Sequence, residues 1–283
     1  MRKLIFLLPV LFFVQCSKTP EFQTLDSGVE YCHIKSHPDA SFSKPGDVWD
    51  LNIKYYNSAD SILFSSDDIS SGYRIYAPKD SYVGSVEEGI FLMHEGDSSI
   101  FRVDADTFYK LSRKMKTPAF IKPNEKLTFY VKLKKITDGA EYQKVIDEYN
   151  SKQFSQELLM IRDYLEDNLP NYEKLESGVY KSLTKKGKGK QPVDSNTVTV
   201  HYIGRFMDGR QFDNSYERNE PFTFQLGAKK SVEGFESAIL SMKKGEKSTF
   251  VIPSQLAYGA KGAGKIIPPF STLIFDIELL DLE

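Results

Sequence analysis

Several groups of residues in this chain have types or spacings that suggest chemistry. Gly259-Ala-Lys-Gly-Ala-Gly264-Lys265 has the spacing of a phosphate-cradling loop. However, Ile266 stands where a Ser or Thr would hold magnesium, and Pro268-Pro269 block the helix whose amino end would face the phosphate. Cys32, His33 and His37 are three potential metal ligands on one local segment, fewer than the roughly four N or S donors of tetrahedral zinc, and they read as solvated loop side chains. Lys181, Lys185, Lys186, Lys188 and Lys190 surround Gly187 and Gly189, a solvated hairpin turn rather than a contact for an anionic surface. No Ser or Cys has a base in plausible reach: the 4 histidines lie apart and there is no nucleophile-elbow motif. What remains is aromatic, with one acid: Tyr202, Phe212, Phe222, Phe235, Tyr258 and Phe275, accompanied by Asp213, Ile266 and Ile267. By composition alone these are core residues.

The elements that would carry them come in two blocks. A length of 283 residues argues for two folded units, and 40% hydrophobic residues are enough to give each a core. The net charge of -2 provides no basic field, which argues against nucleic acid as a partner. From Gly46 to Phe64, Val48, Leu51, Ile53 and Tyr55 recur near period two, and Leu127, Phe129, Val131 and Leu133 repeat that pattern between Lys126 and Ile136. Between Asp138 and Leu169 the period changes. Phe154, Leu158, Ile161 and Leu165 form one helical stripe, which Pro170 ends. The stripe is expected to pack on a neighbouring domain or, alternatively, to dimerise. Strands resume at Val198, Val200 and Tyr202, at Phe222 to Leu226, Ser248 to Ile252 and Leu273 to Leu279. One helix interrupts them, with Ser231 as its cap, Val232, Phe235, Ile239 and Met242 as its buried stripe, and Gly245 at its end. Many strands around one short helix make an α+β domain.

The order of landmarks adds a resemblance. Val200-His-Tyr-Ile-Gly204, Asp208-Gly209, Phe212-Asp-Asn-Ser215, Pro221-Phe222, Leu226-Gly227, Gly234-Phe235, Ala257-Tyr-Gly259 and Ile266-Ile-Pro-Pro269 follow one another as in the FKBP-type peptidyl-prolyl cis-trans isomerases. The resemblance covers Tyr172 to Glu283. It implies a half-open antiparallel sheet curled around the short helix, with a proline-binding pocket between them. Phe235 would be the pocket floor, which is usually tryptophan in the family. Tyr202, Phe212, Phe222 and Phe275 would be its walls. Val232 would offer its backbone N–H to the substrate and Tyr258 its hydroxyl, while Ile266 and Ile267 would line the rim. Asp213 would lie against the bond that twists, accompanied by Arg218. Such chemistry needs no metal or cofactor, because the barrier of ~18–20 kcal/mol is rotation about a partial double bond.

The first block resembles a worn copy of the second. Leu25-Asp-Ser-Gly-Val29 matches Leu175-Glu-Ser-Gly-Val179, and Tyr55 pairs with Tyr202, Phe64 with Phe212, Met93 with Met242, Gly96 with Gly245, Phe101 with Phe250 and Phe129 with Phe275. On this pairing Ser65 replaces Asp213, and neither a Tyr-Gly pair nor an Ile-Ile-Pro-Pro run precedes Leu127. The framework is expected to persist and the pocket to be lost.

At the amino end, Arg2 and Lys3 precede an apolar run from Leu4 to Val14, followed by Gln15-Cys16. This resembles a bacterial lipoprotein signal with a loose lipobox. The expected organisation is a signal peptide over 1–15, a tether from acylated Cys16 over 16–23, a degenerate FKBP-like domain over 24–137, a helical linker over 138–170 and an isomerase domain over 171–283. The implied protein assists folding in the envelope of a Gram-negative bacterium, anchored by lipid at the outer membrane and facing the periplasm. Its implied partners are proline-containing unfolded chains, macrolides such as rapamycin and a second copy of itself. The rival readings are a non-catalytic chaperone and an assembly subunit of a secretion or motility machine.

Overall fold

The two period-two blocks become two sheets of one plan in the computed structural model, which describes residues 21–79 and 83–283. The chain divides into two compact units between Lys144 and Val145. The leader and Cys16, and with them the proposed lipidation site, lie outside the described residues.

In the first unit, strands β1 (Gln23–Thr24), β2 (Glu30–Lys35), β3 (Val48–Tyr56), β4 (Ile62–Ser65), β5 (Tyr73–Tyr76), β6 (Ser98–Asp104) and β7 (Lys126–Thr137) form an antiparallel sheet. Its order is β1-β2-β6-β7-β3-β4, with β5 also paired to β3. Helices α1 (Val86–Ile90) and α2 (Ala105–Thr107) interrupt it, and a π turn over Phe108–Ser112 continues α2. Helix α3 (Gly139–Asn168) follows. The second unit has β8 (Tyr172–Lys174), β9 (Tyr180–Lys185), β10 (Thr197–Phe206), β11 (Gln211–Asn214), β12 (Phe222–Gln225), β13 (Lys247–Ile252) and β14 (Leu273–Leu282) in the order β8-β9-β13-β14-β10-β11, with β12 also paired to β10. Strand for strand, the two orders are the same.

Alternation explains which face is buried. Along β10, Val198, Val200 and Tyr202 point into the core while the residues between them do not, and Leu51, Ile53 and Tyr55 do the same along β3. Helix α4 (Glu233–Leu240) fills the hollow of the second sheet, burying Phe235, Ala238 and Ile239. The residue at its amino cap is Val232, not Ser231, and no side chain caps it. The helix closes at Ser241, so Gly245 sits beyond it, in the turn that leads into β13, with φ of 84°.

The expected helix over 138–170 is real, and most of it belongs to the second unit. Ile161 and Leu165 are fully buried against Val251 and Ile274 on the outer face of the second sheet. Phe154 meets the ring of Phe270 at 5.2 Å. Leu158, expected in the same stripe, faces solvent. The stripe's missing member is Glu157, one helical turn before Ile161. Its buried carboxylate accepts from Ser254 N–H at 2.6 Å and from the hydroxyls of Ser254 and Thr272 at 2.5 Å each.

Strand pairing also corrects the repeat. Phe101 pairs with Phe129 as Phe250 pairs with Phe275, and Gly96 donates to Leu133 as Gly245 donates to Leu279, so those equivalences hold. Across the sheet, Phe129 faces Tyr55 whereas Phe275 faces Gly204. Tyr202 is therefore matched by Ile53, not Tyr55. Ser66 Oγ accepts from Ile53 N–H at 2.9 Å and Ser215 Oγ from Tyr202 N–H at 2.7 Å, which fixes the same register. Since Tyr55 pairs with Phe64 and Gly204 with Asp213, Phe64 stands in the acid's place and Leu63 in that of Phe212.

Candidate functional site

In the second unit, β10 contributes Tyr202, β11 Phe212 and Asp213, β12 Phe222, α4 Phe235 and β14 Phe275 to one aromatic cluster. Tyr202 lies edge-on to Phe235 at 5.4 Å, Phe275 at 5.9 Å and Phe222 at 6.3 Å. Phe275 in turn meets Phe235 at 4.9 Å and Phe212 at 5.6 Å. Edge-to-face packing of this kind holds rings at fixed angles. Gly204 allows it: a Cβ there would stand 2.6 Å from Phe212 Cε2 and 3.0 Å from Phe275 Cε1. Phe235 is buried, and Phe212 and Phe222 are half-buried.

One carboxylate sits beside this cluster. Asp213 accepts from the Tyr202 hydroxyl at Oδ2, and from Arg218 Nη1 and the Asn214 N–H (2.8 Å) at Oδ1. Arg218 Nη2 also donates to the Tyr202 oxygen at 3.3 Å. Burial pushes the Asp213 carboxyl up, but the Tyr202 hydroxyl and the Arg218 guanidinium outweigh it and hold it below its ordinary 3.8. Burial first, and then the Asp213 carboxylate, push the Tyr202 phenol above its ordinary 10.0. The acid is therefore charged and the phenol neutral at physiological pH. A depression of about 430 Å³ lies along Gln211, Phe212, Asp213, Asn214, Glu217 and Arg218.

The remaining candidates lie in the loop between β13 and β14 and at the start of α4, and of these Ile267 and Val232 pack on the same core. Val232 takes the extended conformation, with φ of -74° and ψ of 152°. Among the described residues its N–H meets no backbone acceptor. Tyr258 is 42% exposed. The neighbours Ile266 and Ile267 part company: Ile267 is 6% exposed and packs on the core, while Ile266 is 66% exposed. Ala263 N–H donates to Ile267 at 2.8 Å and pins this loop. Gly262 allows the approach, since a Cβ there would collide with the Ile267 carbonyl. Ser215 had no expected role. Fully buried, it bonds His201 Nδ1 at 2.9 Å as well as the backbone of Tyr202, and so sets the position of Tyr202.

The first unit departs from expectation, because its pocket is not lost. A cavity of about 280 Å³ is lined by Tyr55, Phe64, Phe108 and Phe129, together with Val86 and Ile90. Counting back from Met93 and Met242, Val86 stands in the place of Phe235, so a smaller side chain at the floor leaves room. Tyr55 stacks on Phe129 at 4.8 Å and on Phe64 at 5.7 Å, and Phe108 meets it edge-on at 5.2 Å. Where the second unit has Asp213, this one has Phe64.

Among the described residues, no group of three or more His, Cys, Asp or Glu is placed to hold a metal ion, and no helix is long and apolar enough to cross a membrane. An aromatic cluster without a nucleophile, beside a fixed carboxylate, suits non-covalent work on a ligand.

Residues 188–280 match the FKBP-type peptidyl-prolyl cis-trans isomerase family. The chain is 43% identical to FK506-binding protein 1 of Dictyostelium discoideum over 103 residues, 36% of this chain and 96% of that protein. It is 45% identical to the FK506-binding protein of Neisseria meningitidis (serogroup A, strain Z2491) over 94 residues, 33% of this chain and 86% of that one. Against the FKBP-type peptidyl-prolyl cis-trans isomerase FkpA of Escherichia coli (strain K12), identity is 46% over 107 residues, which span 38% of each chain. The chain belongs to the FKBP-type peptidyl-prolyl cis-trans isomerases, a family of enzymes.

Proposed function

We propose that the second unit catalyses cis-trans isomerisation of X-Pro bonds in unfolded or partly folded polypeptides. The observation that carries this reading is the charged Asp213, held by Tyr202 and Arg218 against rings contributed by four strands and one helix. A twisted amide has lost resonance, and its carbonyl favours less polar surroundings than the planar ground state. A dry aromatic site with few fixed donors therefore binds the twisted form better than the planar one. In this reading Phe235 supports the proline ring and Tyr202, Phe212, Phe222 and Phe275 surround it. Val232 N–H and the Tyr258 hydroxyl donate to the substrate backbone, Ile266 and Ile267 form the rim, and Asp213 faces the turning bond. Uncatalysed isomerisation takes tens to hundreds of seconds, so a folding catalyst has a step to accelerate. The same apolar site would take macrolides such as rapamycin.

The test is turnover of a prolyl peptide by the full chain, unmodified and as Asp213→Leu and Tyr258→Phe. Each substitution is expected to lower kcat/KM without loss of the folded state. Unchanged turnover in both would overturn these roles. A folded protein with no turnover that still suppresses aggregation would favour the chaperone reading.

The location belongs to the same proposal. Acylation of Cys16 after removal of 1–15 would anchor the protein in the envelope, at the outer membrane facing the periplasm. Cys16→Ser should release it from the membrane fraction. A wild-type chain found wholly soluble, with its leader cut elsewhere, would refute the anchor.

A further inference from the structure

At the mouth of the first unit's cavity stands a guanidinium. Arg113 leaves the π turn with its Cζ 5.4 Å from the centre of the Phe64 ring and 5.8 Å from those of Tyr55 and Phe108. Its Nη2 donates to the Tyr55 hydroxyl at 2.9 Å. Among the described residues no carboxylate lies within 4.0 Å of its nitrogens. Glu87, the acid in the cavity wall, accepts instead from the Ser112 hydroxyl at 2.7 Å. Lys114, also in the wall, adds a second positive charge. A guanidinium carries five N–H donors, and a phenol oxygen uses one of them. Among the described residues, Arg113 therefore lines a largely aromatic and aliphatic cavity with most of its donors unused. The second unit neutralises its own arginine with Asp213 and offers no such surplus.

We propose that this cavity binds a carboxylate carried on a compact apolar group of a polypeptide: an apolar residue at a chain's C-terminus, or an acidic side chain beside an apolar one. The volume sets the size. At about 280 Å³ it lies just below the range of drug-sized sites, roughly 300–1,000 Å³, so it holds one or two side chains and not a folded segment. The walls set the apolar part, since Phe64, Phe129, Val86 and Ile90 present carbon to the ligand. Arg113 sets the anion, because its planar fork matches a carboxylate in two parallel hydrogen bonds. An uncharged apolar ligand would leave those donors facing it without an acceptor. The proposal does not rest on isomerase activity, which belongs to other residues.

The test is a calorimetric and NMR titration of the full chain with three probes: N-acetyl-Leu-Phe as the free acid, N-acetyl-Leu-Phe amide and N-acetyl-Glu-Phe amide. Binding of the free acid, with shifts at Tyr55, Phe64 and Phe129, would support a chain terminus as the source of the carboxylate. Binding of the glutamyl amide would support an acidic side chain. The neutral amide should bind at least about tenfold more weakly than whichever acid binds, the size of one lost charge-assisted hydrogen bond. Arg113→Met should remove that preference and Arg113→Lys should keep part of it, with peptide isomerisation unchanged in both. Equal binding of acid and amide, or no binding of any probe, overturns the proposal. So does acid binding that survives Arg113→Met. If Arg113→Met does not fold, the acid–amide comparison and Arg113→Lys still decide.

Discussion

The two units share one strand order and put different residues at corresponding places around the hollow of the sheet. Where the second has Tyr202, Gly204, Asp213 and Phe235, the first has Ile53, Tyr55, Phe64 and Val86. Removing the floor ring and the acid while adding a ring at the glycine position turns an aromatic cluster beside an anion into a cavity beside a cation. Since the framework residues Phe101, Phe129 and Met93 match Phe250, Phe275 and Met242 in burial, the fold tolerates both fillings. The contrast shows that the sheet sets where the hollow lies, and a few inward positions set what lines it.

Placing one unit's residue in the other tests this directly. The largest effect is expected from Gly204→Tyr, which imports the first unit's side chain onto a backbone with no space for a Cβ. It should displace Phe212 and Phe275 and lower peptide turnover by about a hundredfold, as misplacement of a site by an ångström can. Turnover within a few-fold of wild type would break the equivalence of Tyr55 and Gly204. Next comes Phe235→Val, the first unit's floor in the second. Leaving a cavity under Tyr202 should cost about 2–4 kcal/mol, read from the midpoint of denaturant unfolding. A smaller effect is expected from the reciprocal Val86→Phe, which should raise first-unit stability by roughly 0.5–2 kcal/mol as a cavity-filling change. It should also abolish binding of carboxylate probes, and probes that still bind would place their site elsewhere.

The smallest effect is a flat pH profile. Asp213 has a lowered value in the folded protein, so its contribution is complete above the unfolded value, near 3.8, and is lost as pH falls through the still lower folded one. Turnover should therefore be insensitive to this carboxyl between pH 7 and pH 5. An inflection in kcat/KM in that window, absent in Asp213→Asn, would show that Tyr202 and Arg218 do not hold the acid as described.

The second unit's aromatic set was legible because its members sit at landmarks whose order survives in the linear chain. The register of the repeat was less legible, for a reason built into strands. A slip of two residues keeps every side chain on the same face, so Tyr55 and Ile53 fit the alternation equally well as partners for Tyr202. Only backbone pairing, marked by the Ser66 and Ser215 hydroxyls, separates the two. The cavity was hidden because it depends on Val86 being small at a floor that a misaligned repeat does not identify. Arg113 lay in a segment with no counterpart motif. Glu157 could have been found: an acid one turn before Ile161 and two before Leu165, on the buried side of a helix, calls for partners.

Glu157 has a consequence for where the second unit can be cut. Its carboxylate grips Ser254 at one end of the loop that carries Tyr258 and Ile267, and Thr272 at the other. Helix α3 thus acts as a clasp at the loop's base, where Ile252 and Leu273 pair, and its hydrogen bonds offset part of the cost of closing the loop. A fragment begun at Tyr172 would keep all seven strands and lose the clasp. Ser254 and Thr272 would face water, and amide exchange across the loop should quicken even where the sheet stays protected. By the same reasoning, a graft of this unit onto another scaffold has to begin within α3, ahead of Glu157, and not at the first strand.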